Sequence, residues 1–119
     1  MVIKSKRLIK DIYFPLTINR EKIAPHAKLL DVGCAFGYFL GCCDKYGLET
    51  FGIEVSKSAI EEAKKETNAK LFKHDVNDGL NLFKNNYFDL VTAFDLIEHL
   101  DSPYKFLKEC HRILKMAVK

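Results

Sequence analysis

Residues 29–39, Leu-Leu-Asp-Val-Gly-Cys-Ala-Phe-Gly-Tyr-Phe, constrain the fold more than any other part of this chain. Two leucines lead into an acid at Asp31, small residues follow at Gly33, Ala35 and Gly37, and the sequence turns apolar again at Tyr38. That order reads as a buried strand, a tight turn and a helix start. A turn poor in side chains lets a ligand approach the backbone, and a helix start carries N–H groups with no partner inside the helix. Glu54 lies 23 residues after Asp31, near the end of a second strand-like run at 49–55. That is the spacing of the acid that grips ribose hydroxyls in a nucleotide-binding βαβ unit. The glycine spacing narrows the nucleotide: a dinucleotide fingerprint needs small residues at 33, 35 and 38, and position 38 is a tyrosine.

The remaining sequence continues the alternation. Residues 28–32 read as a first strand, followed by a helix over 37–46 with Gly47 as its C-cap. A second strand at 50–55 precedes a helix over 59–67, for which Ser58-Ala59-Ile60-Glu61 offers a capping box. A third strand is expected at 70–73, a fourth at 88–94 and a last helix over 103–116. In that helix Phe106, Leu107, Cys110, Ile113 and Leu114 keep helical spacing, and Pro103 suits the first turn. Residues 4–13 mix apolar and basic side chains and predict a short helix, so 1–20 reads as an N-terminal helical segment of a single domain spanning 1–119. Strands alternating with helices imply an α/β, doubly wound, mainly parallel sheet with helices on both faces.

Composition excludes several classes. With 119 residues, 48% hydrophobic and 29% charged, the chain suits one globular domain. It has no apolar run of the roughly 18 residues a membrane span needs. The basic N-terminus has no apolar h-region, so the expected location is cytoplasmic. The four cysteines include no Cys-x-x-Cys pair, which predicts reduced thiols and no metal site. A net charge of +3 is too small to argue for nucleic acid, and Lys105, Lys108, Arg112, Lys115 and Lys119 read as a solvated helix face.

The pattern Asp31-x-Gly33-x-Ala35-x-Gly37 resembles motif I of the class I S-adenosylmethionine-dependent methyltransferases. Gly52-Ile53-Glu54-Val55-Ser56 resembles the segment that holds the ribose, and His74-Asp75-Val76 the segment that flanks the adenine. Residues 88–100, with Glu98-His99-Leu100 followed by Pro103, resemble motif IV. The resemblance covers residues 27–115. It departs at Ala35, where the family has a glycine; alanine is tolerated there if φ is negative. The resemblance implies a Rossmann-like sheet of strand order 3-2-1-4 and S-adenosylmethionine as cofactor. The family's complete fold has seven strands. This chain ends after the helix that follows the fourth, so it is expected to lack the last three strands, as a truncated copy or a fragment.

By the same resemblance, Gly33, Cys34, Ala35 and Gly37 hold the methionine end with Asp31 close by. Glu54 takes both ribose hydroxyls with Val55 beside it. Asp75 meets the adenine amino group, the Val76 N–H faces a ring nitrogen, and Phe94 and Asp95 line the methionine moiety. Blander roles are open for several of these: Asp31 as a cap on local N–H groups, Asp75 as a turn residue, Phe94 as core. His99 is the candidate catalytic base, because its pKa suits proton removal near neutral pH; the alternative is a histidine that orders the loop beside Glu98. The implied activity is methyl transfer to an O, N or C acceptor, a small molecule, with the group containing ubiquinone-biosynthesis O-methyltransferases the nearest resemblance. The alternative is a non-catalytic S-adenosylmethionine-binding module that needs a partner chain. A nicotinamide-dependent oxidoreductase would share the sheet but fails at Tyr38. Finally, the fourth strand lacks the charge, proline or bulge that blunts an open edge. That predicts a homodimer through the strand-four edge, unless segment 1–20 covers it.

Overall fold

The computed structural model describes residues 2–4, 26–94 and 96–116. A five-stranded sheet runs through it, built from β1 (Val2–Lys4), β2 (Lys28–Val32), β3 (Glu49–Glu54), β4 (Lys70–Lys73) and β5 (Leu90–Ala93). The spatial order is β4-β3-β2-β5-β1. The four strands from β2 onward are mutually parallel, and their arrangement is the 3-2-1-4 order expected from the sequence. Helices α1 (Tyr38–Asp44) and α2 (Lys57–Glu66) follow β2 and β3, and α3 (Pro103–Ile113) follows β5.

A parallel sheet covered on both faces needs strands that are apolar on both sides, and β2 supplies this. Leu29 packs with Leu40 and Cys43 of α1. Leu30 and Val32 pack with Phe51, Val91 and the α3 residues Phe106, Cys110 and Ile113. An aromatic cluster closes the second face: the Phe88 ring meets Phe51, Phe83 and Tyr87 edge-on at centroid distances of 5.1, 5.0 and 5.0 Å.

Several local boundaries differ from expectation, each for a visible reason. Helix α2 begins at Lys57 because Ser56, in extended conformation, accepts the Ala59 N–H at 3.2 Å. Ser58 therefore lies inside the helix and the 58–61 capping box is not formed. Helix α3 ends at Ile113 because the chain beyond it turns extended and pairs with Phe88, with Lys115 N–H donating to Phe88 O at 2.9 Å. Phe88 itself lies outside β5, which begins at Leu90.

The N-terminal helix expected over 1–20 is corrected at its start: Val2–Lys4 are a strand, and residues 5–20 lie outside the described residues. Strand β1 runs antiparallel to β5, with Val2 opposite Thr92, Ile3 opposite Val91 and Lys4 opposite Leu90. The edge on which the homodimer was expected is thus already paired within the chain. Among the described residues, no helix is long and apolar enough to cross a membrane.

Candidate functional site

A cleft of about 400 Å³ opens at the carboxyl ends of β2 to β5. It lies where the chain, having moved outward from β2 to β4, returns to place β5 on the other side of β2. In open α/β sheets that reversal is where ligands bind. Val32 and Gly33 line it from β2, Ile53, Glu54 and Val55 from β3, and residues 74–77 from the segment after β4. Phe94, Leu96 and His99 form the facing wall.

The glycine turn is built differently from expectation. Its N–H groups are largely committed inside the chain. Gly33 and Cys34 both donate to Ile53 O, at 2.9 and 3.0 Å, and Gly37 donates to Cys34 O at 3.0 Å. Ala35 donates to Glu54 Oε1 at 3.0 Å. The small residues also serve separate purposes. Gly33 lines the cleft, and Leu96 Cδ1 lies 3.7 Å from where its Cβ would be. Gly37, at φ 81°, packs α1 against α2: a Cβ there would sit 2.9 Å from Ala63 Cβ and 3.1 Å from Ala63 Cα. Ala35 has φ 49°, so the expectation of a negative φ is overturned. The left-handed region costs an L-residue about 1–2 kcal/mol. Cys34 is buried under the turn, away from the cleft, and burial pushes its thiol up to about 12.

The acids fall into distinct settings. Glu54 stands at the end of β3, with Oε1 taking the Ala35 N–H and Oε2 taking the Ser56 N–H at 2.9 Å. A carboxylate offers about four acceptor positions, so two committed donors leave capacity toward the cleft. Asp75 accepts the Asn77 N–H at 2.9 Å and caps the 3-10 turn Val76–Asp78. The turn-residue role is thus present, and Asp75 and Val76 also line the cleft. Asp31 is only 3% exposed and sits behind the turn rather than on the cleft wall. Its carboxylate takes the Thr92 hydroxyl at 2.8 Å. Burial pushes its pKa up to about 7, against the opposing effect of that hydrogen bond.

The facing wall is more open. His99 lines the cleft with its side chain 74% exposed, and its Nε2 lies 3.8 Å from Glu98 Oε1. Phe94 stacks edge-on to Phe39 with ring centroids 5.1 Å apart. Asp95 lies outside the described residues. Val55 presents an apolar side chain at the cleft with 57% of its surface exposed.

Five lining residues, Val32, Ile53, His74, Asn77 and Leu96, were given no site role from the sequence. His74 donates from Nε2 to Gly79 O at 2.7 Å, which fixes that nitrogen as the protonated one, since a carbonyl only accepts. Asn77 accepts the Asp101 N–H at 3.0 Å and so ties the two walls together. Leu96 covers the glycine turn. Asn77 carried a local signal as a polar residue in a turn two positions after Asp75, and His74 and Leu96 lay within segments that carried the family resemblance.

A larger cavity, about 770 Å³, lies beyond the Val76–Asp78 turn against α3. It shares Val76 and Asn77 with the cleft, and its Arg112 is already occupied. Arg112 donates to both Glu109 oxygens, to Leu80 O, to Phe83 O and to Asn85 Oδ1. Those bonds hold the Glu109 carboxyl below its ordinary range. No group of metal-ligating side chains occurs among the described residues.

Comparison with known proteins agrees with this geometry. The sequence profile of the methyltransferase domain matches residues 30–117. The chain is similar to norajmaline N-methyltransferase of Rauvolfia serpentina, with 36% identity over 71% of this chain and 31% of that protein. It is similar to the ubiquinone biosynthesis O-methyltransferase of Coxiella burnetii, with 30% identity over 76% of this chain and 40% of that one. The crystal structure of an S-adenosylmethionine-dependent methyltransferase from Mesorhizobium loti superimposes with a TM-score of 0.70 at 18% identity, covering 76% of this chain and 42% of that one. The chain thus spans about a third to two-fifths of the length of these relatives. With a parallel sheet of the right order, a glycine turn beneath the cleft and a profile match over most of its length, this chain belongs to the methyltransferase domain family.

Proposed function

We propose that the cleft binds S-adenosylmethionine and that the chain serves methyl transfer to an O, N or C acceptor, a small molecule. The observation that carries this reading is Glu54 at the carboxyl end of β3, facing a cleft that Gly33 of the glycine turn also lines. The residues present suit the ligand. Glu54 has acceptor capacity left for ribose hydroxyls. Val55 offers an exposed apolar surface to a flat base, with Asp75 and Val76 at the same end. Gly33 O accepts no hydrogen bond among the described residues and suits the ammonium of an amino-acid moiety.

When bound, the cofactor supplies a methyl group already activated on a sulfonium. The protein's part is then alignment and exclusion of water. Glu54 and the turn fix the adenosine and amino-acid ends, so the methyl is directed toward the wall of Phe94, Leu96 and His99. His99 is close enough to that wall to take a proton from an acceptor hydroxyl or amine. Relatives named for N-methylation and for O-methylation support a nitrogen or oxygen acceptor within this reading.

Calorimetry on the 119-residue chain tests the reading. Binding of S-adenosylmethionine or its demethylated product, with no response to NADH, is the expected result. NADH binding with no response to either sulfur ligand overturns it. A labelled-methyl transfer assay then addresses turnover separately.

A further inference from the structure

The Glu54 carboxylate does more than face the cleft. Its two oxygens reach two separate backbone segments: Oε1 takes the Ala35 N–H at 3.0 Å and Oε2 the Ser56 N–H at 2.9 Å. The first lies in the glycine turn, the second at the N-cap of α2. Ser56 in turn caps the helix through the Ala59 N–H. Ala35 is the strained member of this set, a non-glycine residue at φ 49°. It is exposed, so tertiary packing does little to hold it there. Strained backbone persists where surrounding contacts over-determine it, and its contact here is a charge-assisted hydrogen bond, the stronger kind.

We propose that Glu54 is a positioning residue for the turn itself: its carboxylate braces the left-handed Ala35 peptide and ties the glycine turn to the start of α2, so that turn order and cofactor affinity are coupled. This rests on the reading of the cleft as the cofactor site. The ribose hydroxyls would meet a carboxylate already oriented by two backbone donors, which lowers the ordering cost of binding. Substitution of Glu54 therefore removes two things, a ligand contact and the geometry of the turn. Replacing Ala35 by glycine restores only the second, because glycine enters the left-handed region without steric cost.

The test uses the full chain, nitrogen-15 labelled, first ligand-free and then titrated with S-adenosylhomocysteine. In ligand-free Glu54→Ala the amides of Ala35 and Ser56 should exchange at least about tenfold faster than in the wild type, while core-strand amides such as Leu30 are unchanged, since loss of a charge-assisted bond opens these sites locally. Adding Ala35→Gly to Glu54→Ala should recover at least about threefold of the lost affinity, a non-additive pair of the kind expected for residues in contact. Unchanged exchange at 35 and 56 in ligand-free Glu54→Ala, with affinity lost and no recovery from Ala35→Gly, overturns the brace and leaves Glu54 a ribose contact only. If Glu54→Ala does not fold, Glu54→Gln carries the same test: its single amide oxygen should keep one of the two backbone amides protected and release the other, and protection of both overturns the brace. A wild type that ignores S-adenosylhomocysteine overturns the cofactor reading and the coupling, whereas the amide measurements still decide the brace by themselves.

Discussion

The two walls of the cleft are made of different materials. On the β3 side, backbone and carboxylate groups tie the wall together: the 33–35 amides to Ile53 O and Glu54, Ser56 to Glu54, and His74 to Gly79 O. On the β5 side, the wall presents side chains, and Ile97, Glu98 and His99 are exposed. One hydrogen bond that ties it to the first wall is the Asp101 N–H on Asn77 Oδ1. A pre-formed wall recognises a constant ligand at low ordering cost. A wall of exposed side chains can change its chemistry by substitution without unsettling the sheet. The comparison predicts that damage on the first side affects stability and cofactor affinity, and damage on the second affects neither much.

The largest effect should come from beneath the first wall. Gly37→Ala places a Cβ 2.9 Å from Ala63 Cβ at a left-handed φ of 81°, where neither the helix backbone nor the turn yields easily. A loss of about 4 kcal/mol is expected, combining overpacking with backbone strain. Urea unfolding checks it, and an unchanged midpoint would show that α1 and α2 are not held together at this point.

Next is Asp31, whose folded pKa of about 7 lies above its ordinary value of 3.8. Between those pH values the unfolded chain has released a proton that the folded chain still holds. Stability from this group is therefore full below about pH 4 and is lost as pH rises through 7. The descent is worth about 4 kcal/mol at roughly 1.4 kcal/mol for each of about three pH units. Asp31→Asn should lack it, so the wild type should fall relative to the variant between pH 4 and pH 8 in denaturant titrations. Parallel curves would mean that Asp31 titrates normally.

A smaller effect is expected where the walls meet. Asn77→Ala removes one exposed neutral hydrogen bond, worth about 0.5–1.5 kcal/mol. Amide exchange in the 96–101 loop should quicken while S-adenosylhomocysteine affinity changes less than about threefold, because the Asn77 oxygen is spent on the Asp101 amide rather than on the ligand. A large loss of affinity would merge the two walls into one unit. The smallest effect is at His99. His99→Ala should leave cofactor affinity within about twofold, because its side chain is 74% exposed and stands on the side-chain wall. If it is the base, labelled-methyl transfer falls while binding stays; loss of binding itself would place His99 on the cofactor wall.

What the sequence showed follows from how local each signal is. Strand 28–32 was legible because a buried parallel strand writes its apolar character directly into the chain, whereas the strand order came from the family resemblance. Glu54 was legible through its distance from Asp31. Ser56 was passed over in favour of Ser58 because both are good caps, and the choice is made by backbone conformation at 56. The glycine turn read as an open ligand cradle because its composition does not reveal where its amides go. They go to Ile53 and Glu54, at the end of the neighbouring strand. The role of Gly37 depends on Ala63 and Thr67 of another helix. β1 was missed because a three-residue strand has no periodicity to detect, and its partner is 90 residues away at Thr92.

That distance has a consequence for the chain as it is synthesised. Val2–Lys4 are synthesised ahead of β2, β3 and β4, whereas their partner, Leu90–Ala93, follows those three strands. Closing so long a loop is entropically slow on its own. By then β2 is available to receive β5 on one side, and the waiting N-terminal strand can close the other as soon as Leu90 to Thr92 appear. Nascent sheets are most prone to aggregate while an apolar edge is unpaired. The strand that protects that edge is made well before the edge itself, so the interval in which β5 stands open can be short.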